Sequence, residues 1–294
     1  MIFSALIAVI SIAFPPEGAK LPAVSRCYAI GATDGGEVEI TVNHKSVPVY
    51  RTGAWSSVIE VVPGTNVLEV GGVKRTFVVG SLGSKGLDEK KVYKKLEYAA
   101  DVAKAHPTGK KPAEITIVLD AGHGGNDGGA ISPHGLPEKD ANLRLAKAVR
   151  SELVKRGFRV VMTREEDIFI PLNDRPKVAH KENADAFVSI HHNAPGYEQN
   201  PLECRYHAVY AWNEIGERLA EAVNLRMSAA LLPRTSKGVL HANFLVTRNP
   251  EIPSCLVEAD FITHPDGEAD SWSVPEREKV AAAIANGIAD WVAQ

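Results

Sequence analysis

Apolar and polar residues alternate with a period near two through the first quarter of the chain. Glu37-Val38-Glu39-Ile40-Thr41-Val42 alternates strictly, and Asn43-His44-Lys45 follows as a turn. Ser46–Arg51, Ser56–Val62, Thr65–Val70 and Arg75–Val79 continue the series, with Gly53, Pro63-Gly64 and Gly71-Gly72 as punctuation. Short alternating runs at regular spacing predict a small β-sandwich over residues 20–80. It carries no cluster of potential ligands, so it reads as an accessory or positioning module.

The rhythm changes after residue 80. Residues 81–113 form a predicted linker, with a lysine-rich run at 89–96 that suits one short amphipathic helix and a Pro- and Gly-bearing tail at 106–112. From Ile115 onward, apolar runs of strand length alternate with stretches of helical period. Ile115–Leu119 is rich in β-branched residues, as a buried strand requires. Residues 137–156 predict a helix with Pro137 in its first turn and Gly157 as its stop. Strands are expected at Phe158–Met162, Ala186–Ile190, Arg205–Ala211, Phe244–Thr247 and Cys255–Glu258. Helices are expected at Leu172–Lys181, Glu214–Ala230 and Pro275–Val292. Repeated βα units over 114–294 predict an α/β domain with a mostly parallel, mixed sheet flanked by helices.

The first thirteen residues are almost wholly apolar, and Pro15-Pro16-Glu17-Gly18 ends the run. Such a run is too short to span a bilayer as a helix but suits the core of an export signal over 1–14, with Ser11 and Ala13 small at the cleavage spacing. A buried N-terminal strand is the competing reading, and no Lys or Arg precedes the apolar run. No later segment is long and apolar enough to cross a membrane, so no stable membrane insertion is expected after signal cleavage, and the protein is expected in the periplasm, cell envelope or extracellular space. A formal net charge of −3 argues against a general nucleic-acid or anionic-membrane binder. The three cysteines, Cys27, Cys204 and Cys255, are too scattered for a disulfide framework or a thiolate metal site.

Candidate chemistry sits where apolar strands end, which is where open α/β sheets place their ligand crevice. Leu119-Asp120-Ala121-Gly122-His123-Gly124-Gly125 is glycine-dense, lacks either phosphate-loop pattern, and holds a histidine suited to a metal. Glu138 heads a helix on its core-facing stripe, where a carboxylate needs a partner, either a metal ion or the helix N-terminus it caps. His191 shares a strand face with Phe187 and Ser189, while His192 points to the other. Glu258 ends an apolar strand; an ion pair with Arg175 or Arg248 is its structural alternative. Two histidines and one carboxylate with an open fourth position define a catalytic zinc site, and a spare glutamate supplies a general base for amide hydrolysis.

At these residues the sequence resembles the zinc-dependent N-acetylmuramoyl-L-alanine amidases of the Amidase_3 type, over roughly 114–294. Ile117–Gly125 resembles the family's opening strand with its first zinc histidine, Leu136–Leu143 its glutamate segment, and Leu172–Asn193 the block ending in the second zinc histidine. Leu256–Ile262 is similar to the block bearing the catalytic glutamate. The resemblance implies Zn2+ held by His123, Glu138 and His191, with Glu258 catalytic, and it selects His191 over His192. The implied reaction is cleavage of the amide between N-acetylmuramic acid and the L-alanine of the peptidoglycan stem peptide, by an exported enzyme; a monomer is expected. Some family members carry a helix that plugs the site; here Tyr210-Ala211-Trp212 runs almost directly into a helix near Glu214, which leaves no room for one. Residues 20–80 resemble small immunoglobulin-like domains of bacterial surface enzymes.

Three positions depart from the family pattern: Asp260 for a glycine, His192 for a small residue and His264 for an asparagine. All three are expected to line or border the crevice. A zinc peptidase acting within the stem peptide and a non-catalytic wall-binding protein are the competing functions. The first has no distinguishing code in the loops at 195–203 and 236–243, and the second would be favoured by loss of a ligand or of Glu258.

Overall fold

The structure, a computed structural model, describes residues 9–34, 39–81, 109–249 and 251–294. The lysine-rich run at 89–96 lies outside them.

Eight strands make up the first region: β1 (Ile10–Phe14), β2 (Lys20–Leu21), β3 (Arg26–Thr33), β4 (Glu39–Val42), β5 (Lys45–Pro48), β6 (Ala54–Glu60), β7 (Gly64–Val70) and β8 (Val73–Val79). They form a three-stranded sheet ordered β1-β3-β6 and a five-stranded sheet ordered β2-β8-β7-β4-β5. One apolar cluster draws on both, with Cys27, Trp55 and Ile59 from the first and Ile40, Leu68 and Phe77 from the second. Residues 10–14, which fall within the expected export signal, pair antiparallel with β3, Ile10 opposite Thr33 and Phe14 opposite Ile30. Ile12 is buried there in the sandwich core.

The second region is a six-stranded mixed sheet ordered β10-β9-β11-β14-β12-β13. Its strands are β9 (Thr116–Ala121), β10 (Arg159–Met162), β11 (Ala186–Asn193), β12 (Tyr206–Ala211), β13 (Thr235–His241) and β14 (Ser254–Phe261). All neighbours run parallel except β12 and β14. Helices α1 (Glu138–Lys155), α3 (Glu214–Ala230) and α5 (Val274–Ala293) join one face in a single core with Ile117, Leu119, Val188 and Val257. On the other face α2 (Arg175–Lys181) contributes Ala179 to a smaller cluster with Val118, Phe187 and Leu256. β9 is buried along its whole length because both its faces are covered, and this explains its apolar stretch Ile117–Leu119.

Three local expectations change. Phe244–Thr247, expected as a strand, is a 3-10 turn at Leu245–Thr247 that buries Val246, with Thr247 Oγ1 donating to the Phe244 carbonyl. Of the pocket loop expected at 236–243, residues 236–241 belong instead to edge strand β13, whose half-exposed side chains carry no apolar run. Helix α4 (Pro265–Trp272), short and polar, was not expected at all; His264 caps it by accepting from the Asp266 N–H. Between β12 and α3 lie only Trp212 and Asn213, and Asn213 caps α3, which matches the absence of an inserted helix there.

The two regions pack together. Phe14 and Tyr28 stack with Tyr197 of the loop that leaves β11, the Tyr28 N–H donates to the Tyr197 carbonyl at 2.7 Å, and Ser25 donates twice to Glu198. Tyr50 meets His264 edge-on, and Arg51 pairs with Asp266 at 3.6 Å.

Candidate metal centre and active-site cleft

The site forms at the C-terminal ends of β9, β11 and β14. Immediately after β9 the chain turns at His123, a non-glycine residue at φ 59°, and closes the turn with reciprocal Gly124–Asp127 backbone bonds. Such a backbone costs roughly 1–3 kcal/mol and persists only where its surroundings impose it. Two buried arginines do so. Arg175 donates to the carbonyls of Ala121 and His123, and Arg164 to those of Ala121 and Gly122. Arg175 is itself neutralised by buried Asp120 at 2.9 Å, which also accepts from Ser189 and Thr163.

This turn brings His123 against Glu138 and His191, and the donor atoms of the three lie within 4.8 Å of one another. His123 Nε2 is 3.2 Å from Glu138 Oε2, and His191 Nδ1 is 3.0 Å from Glu138 Oε1. The two imidazoles meet edge to face with centroids 4.9 Å apart. Glycines make the fit possible. A Cβ on Gly122 would lie 2.2 Å from His191 Nε2, and one on Gly129 would lie 2.6 Å from Glu138 Oε2. Glu138 is only 4% exposed and does not cap its helix; the Ala130 N–H donates to its Oε2 at 2.9 Å.

The electrostatics suit a cation. Burial works to lower the His123 pKa, but hydrogen bonds to Glu138 and Asp127 outweigh it and raise the value to about 9. Burial likewise opposes ionisation of Glu138, yet its bonds to His123 and His191 hold it well below the usual carboxylate range. Two imidazoles and one ionised carboxylate converge on one point, a donor set that fits zinc with a position to spare.

Glu258 lies beside this trio, opposite His191 in the register of β11 and β14. Burial, and then the neighbouring Glu138, push its carboxyl well above the ordinary range. Its Oε2 is buried with no hydrogen-bond partner. Neither expected ion-pair alternative forms: Arg175 binds Asp120, and Arg248 donates to the Asn243 carbonyl. Ala208 is the other register neighbour of Glu258, flanked on β12 by Tyr206 and Tyr210, whose rings meet Phe261 and Phe244.

The residues that depart from the family pattern each find protein partners. The His192 ring is buried with its Nδ1 2.8 Å from Asn142 Oδ1, and burial holds its pKa down at about 4. Asp260 pairs with Arg205 and Arg234, and His264 caps α4. His192 and Asp260 line a cavity of about 20 Å3 under α1, α4 and α5.

Sequence reasoning missed Asp127 and Asn142. Asp127 Oδ2 lies 2.9 Å from His123 Nδ1, leaving Nε2 for a metal, and Asn142 Nδ2 donates to Glu138 Oε1 at 2.9 Å. The i, i+4 spacing of Glu138 and Asn142 was a readable signal of contact; the contact of Asp127 depends on the loop turn.

A carboxylate–imidazole trio with a spare buried carboxyl on a mixed α/β sheet is an arrangement that could hold a metal ion and carry a hydrolysis. Residues 117–290 match the Amidase_3 family, N-acetylmuramoyl-L-alanine amidase, and the chain belongs to that family of enzymes. It is 34% identical over 227 residues to N-acetylmuramoyl-L-alanine amidase AmiA of Salmonella typhimurium, covering 62% of this chain and 77% of that protein. It is 37% identical over 174 residues to the uncharacterized protein YqiI of Bacillus subtilis, covering 59% of this chain and 82% of that one. Among solved structures, N-acetylmuramoyl-L-alanine amidase AmiC2 of Nostoc punctiforme superposes with a TM-score of 0.58 at 34% identity, covering 61% of this chain and 98% of that chain. The catalytic domain of CwlV from Bacillus (Paenibacillus) polymyxa gives 0.57 at 31% identity, covering 61% and 98%.

Proposed function

We infer that the protein is a zinc-dependent amidase that hydrolyses the bond between the lactyl carbonyl of N-acetylmuramic acid and the amine of L-alanine in peptidoglycan. The observation that carries the reading is the convergence of His123, Glu138 and His191 within 4.8 Å, with Glu258 beside them on the next strand. His123 through Nε2, His191 through Nδ1 and Glu138 through its carboxylate would hold the ion. Zinc bound there supplies a Lewis acid that polarises the scissile carbonyl and acidifies a water.

The charge of a cation at the trio would favour the ionised form of Glu258 against its burial. Glu258 would then take a proton from the attacking water on Oε2, which has no hydrogen-bond partner. It returns the proton to the amide nitrogen as the C–N bond breaks, leaving a muramyl carboxylate and a free L-alanine amine. Asp127 holds His123 in the tautomer that presents Nε2, and Arg164 and Arg175 keep the His123 turn in place. Because peptidoglycan lies outside the cytoplasmic membrane, this reading carries export with it; among the described residues no helix is long and apolar enough to cross a membrane.

Mass spectrometry of purified peptidoglycan digested with and without a chelator tests the proposal. Zinc-dependent release of intact stem peptides bearing a free L-alanine amine supports it. Cuts within the stem peptide would move the enzyme to the peptidases, and no zinc-dependent cut would leave a wall-binding role.

A further inference from the structure

Glu138 Oε1 is a crowded acceptor. His191 Nδ1 lies 3.0 Å from it, Asn142 Nδ2 2.9 Å, and the His192 backbone N–H 3.3 Å. An ionised carboxylate can only accept, so the end of the Asn142 amide that faces it must be the NH2 group. The same nitrogen lies 3.3 Å from the Gly122 carbonyl, a second acceptor. Flipping the amide would set Asn142 Oδ1 against a carboxylate and a carbonyl at once. Oδ1 therefore points away from the metal site, where it meets His192 Nδ1 at 2.8 Å. An acceptor at that distance requires the proton of a neutral His192 ring to sit on Nδ1.

We propose that His192 is a positioning residue for the metal carboxylate: its Nδ1–H locks the Asn142 amide in the one orientation that donates to Glu138 Oε1. The chain runs through buried groups throughout, since Glu138, Asn142 and His192 are 4%, 0% and 5% exposed. No bulk water replaces a lost member. Preorganising a ligand in this way raises the affinity of the site for a divalent cation, here zinc. The inference rests on the metal reading of His123, Glu138 and His191. His192 thus acts from the far side of its strand, through Asn142, on a ligand whose other oxygen faces His123.

The test is zinc affinity of the full chain, measured by competition with a chromophoric chelator. His192→Leu removes the donor and keeps most of the side-chain volume, which matters because the ring lines a cavity that already measures about 20 Å3. Its zinc affinity should fall roughly 10- to 100-fold, the usual cost of losing an outer partner of a metal ligand. His192→Asn places an amide N–H near the position of Nδ1 and should restore affinity close to that of the unsubstituted protein. In an Asn142→Ala background, His192→Leu should cost little more, because the chain is already cut. Wild-type affinity in His192→Leu, or a loss in His192→Asn as large as in His192→Leu, would overturn the proposal in favour of simple packing. Failure of the unsubstituted protein to bind zinc would instead overturn the metal reading. Two-bond 15N–1H spectra of the unsubstituted protein give a readout that needs no variant: the Nδ1–H tautomer is expected at His192, and the Nε2–H tautomer overturns the proposal.

Discussion

His191 and Glu258 are register partners on the adjacent parallel strands β11 and β14, so one sheet face presents a proposed metal ligand and a proposed proton carrier side by side. Parallel pairing keeps register partners on the same face, and this sets their spacing without any loop. The two roles should separate on substitution. Glu258→Gln is expected to bind zinc as the unsubstituted chain does while turnover falls by roughly 10^2- to 10^4-fold, as for loss of a general base. Glu138→Ala is expected to lose the metal. Metal content by elemental analysis, set beside turnover, checks both, and a Glu258→Gln enzyme of near-normal rate would sink the proton-carrier role.

Gly122 is the close-approach position of the site. A Cβ there would fall 2.2 Å from His191 Nε2, so Gly122→Ala must displace the ring or the β9 turn. Zinc affinity should drop sharply in this variant while its circular dichroism stays near native. Gly128→Ala is the control: the nearest atom to its added Cβ would be Pro137 Cβ at 3.7 Å, so zinc affinity should barely change. Equal affinity in the two variants would show that the glycine does not shape the site.

Arg175 and Asp120 form an ion pair in which both side chains are almost fully buried. Removing one partner of such a pair strands the other charge, at a typical cost of about 3–5 kcal/mol. Arg175→Ala also frees the carbonyls of Ala121 and His123. Urea denaturation should show a loss of that order, and one below about 1 kcal/mol, the range of an exposed pair, would mean that the site is solvated.

His207 is fully buried on β12, and burial pushes its pKa from 6.5 down to about 4. The folded state therefore binds fewer protons than the unfolded state between these values. Its contribution to stability is present above pH 6.5 and is lost as the pH falls toward 4. His207→Gln removes this titration, so the urea midpoint should fall less between pH 7 and pH 5 than in the unsubstituted protein. Parallel pH profiles for the two would show that His207 already titrates normally when folded.

Periodicity alone located both regions of the chain. Strict alternation at Glu39–Val42 marks a strand with one wet face, and the apolar stretch Ile117–Leu119 of β9 marks one covered on both faces; neither pattern depends on distant residues. Polar residues at the ends of β9, β11 and β14, together with Glu138 at a helix start, were legible for the same reason, since an apolar strand that ends in His or Glu announces a site. β13 and α4 were not legible, because an exposed edge strand and a short polar helix have no apolar signature and are held by their neighbours. Nor could the first residues announce the register of a strand, because an export core and a strand are both apolar, and the pairing of Ile10–Phe14 with β3 is a tertiary matter. Tertiary structure alone decided that Glu258 stands opposite His191, that Asp127 holds His123, and that His192 reaches Asn142 on α1. These are matters of sheet order, loop path and helix packing, which join residues 4 to 67 positions apart and leave no period in the chain.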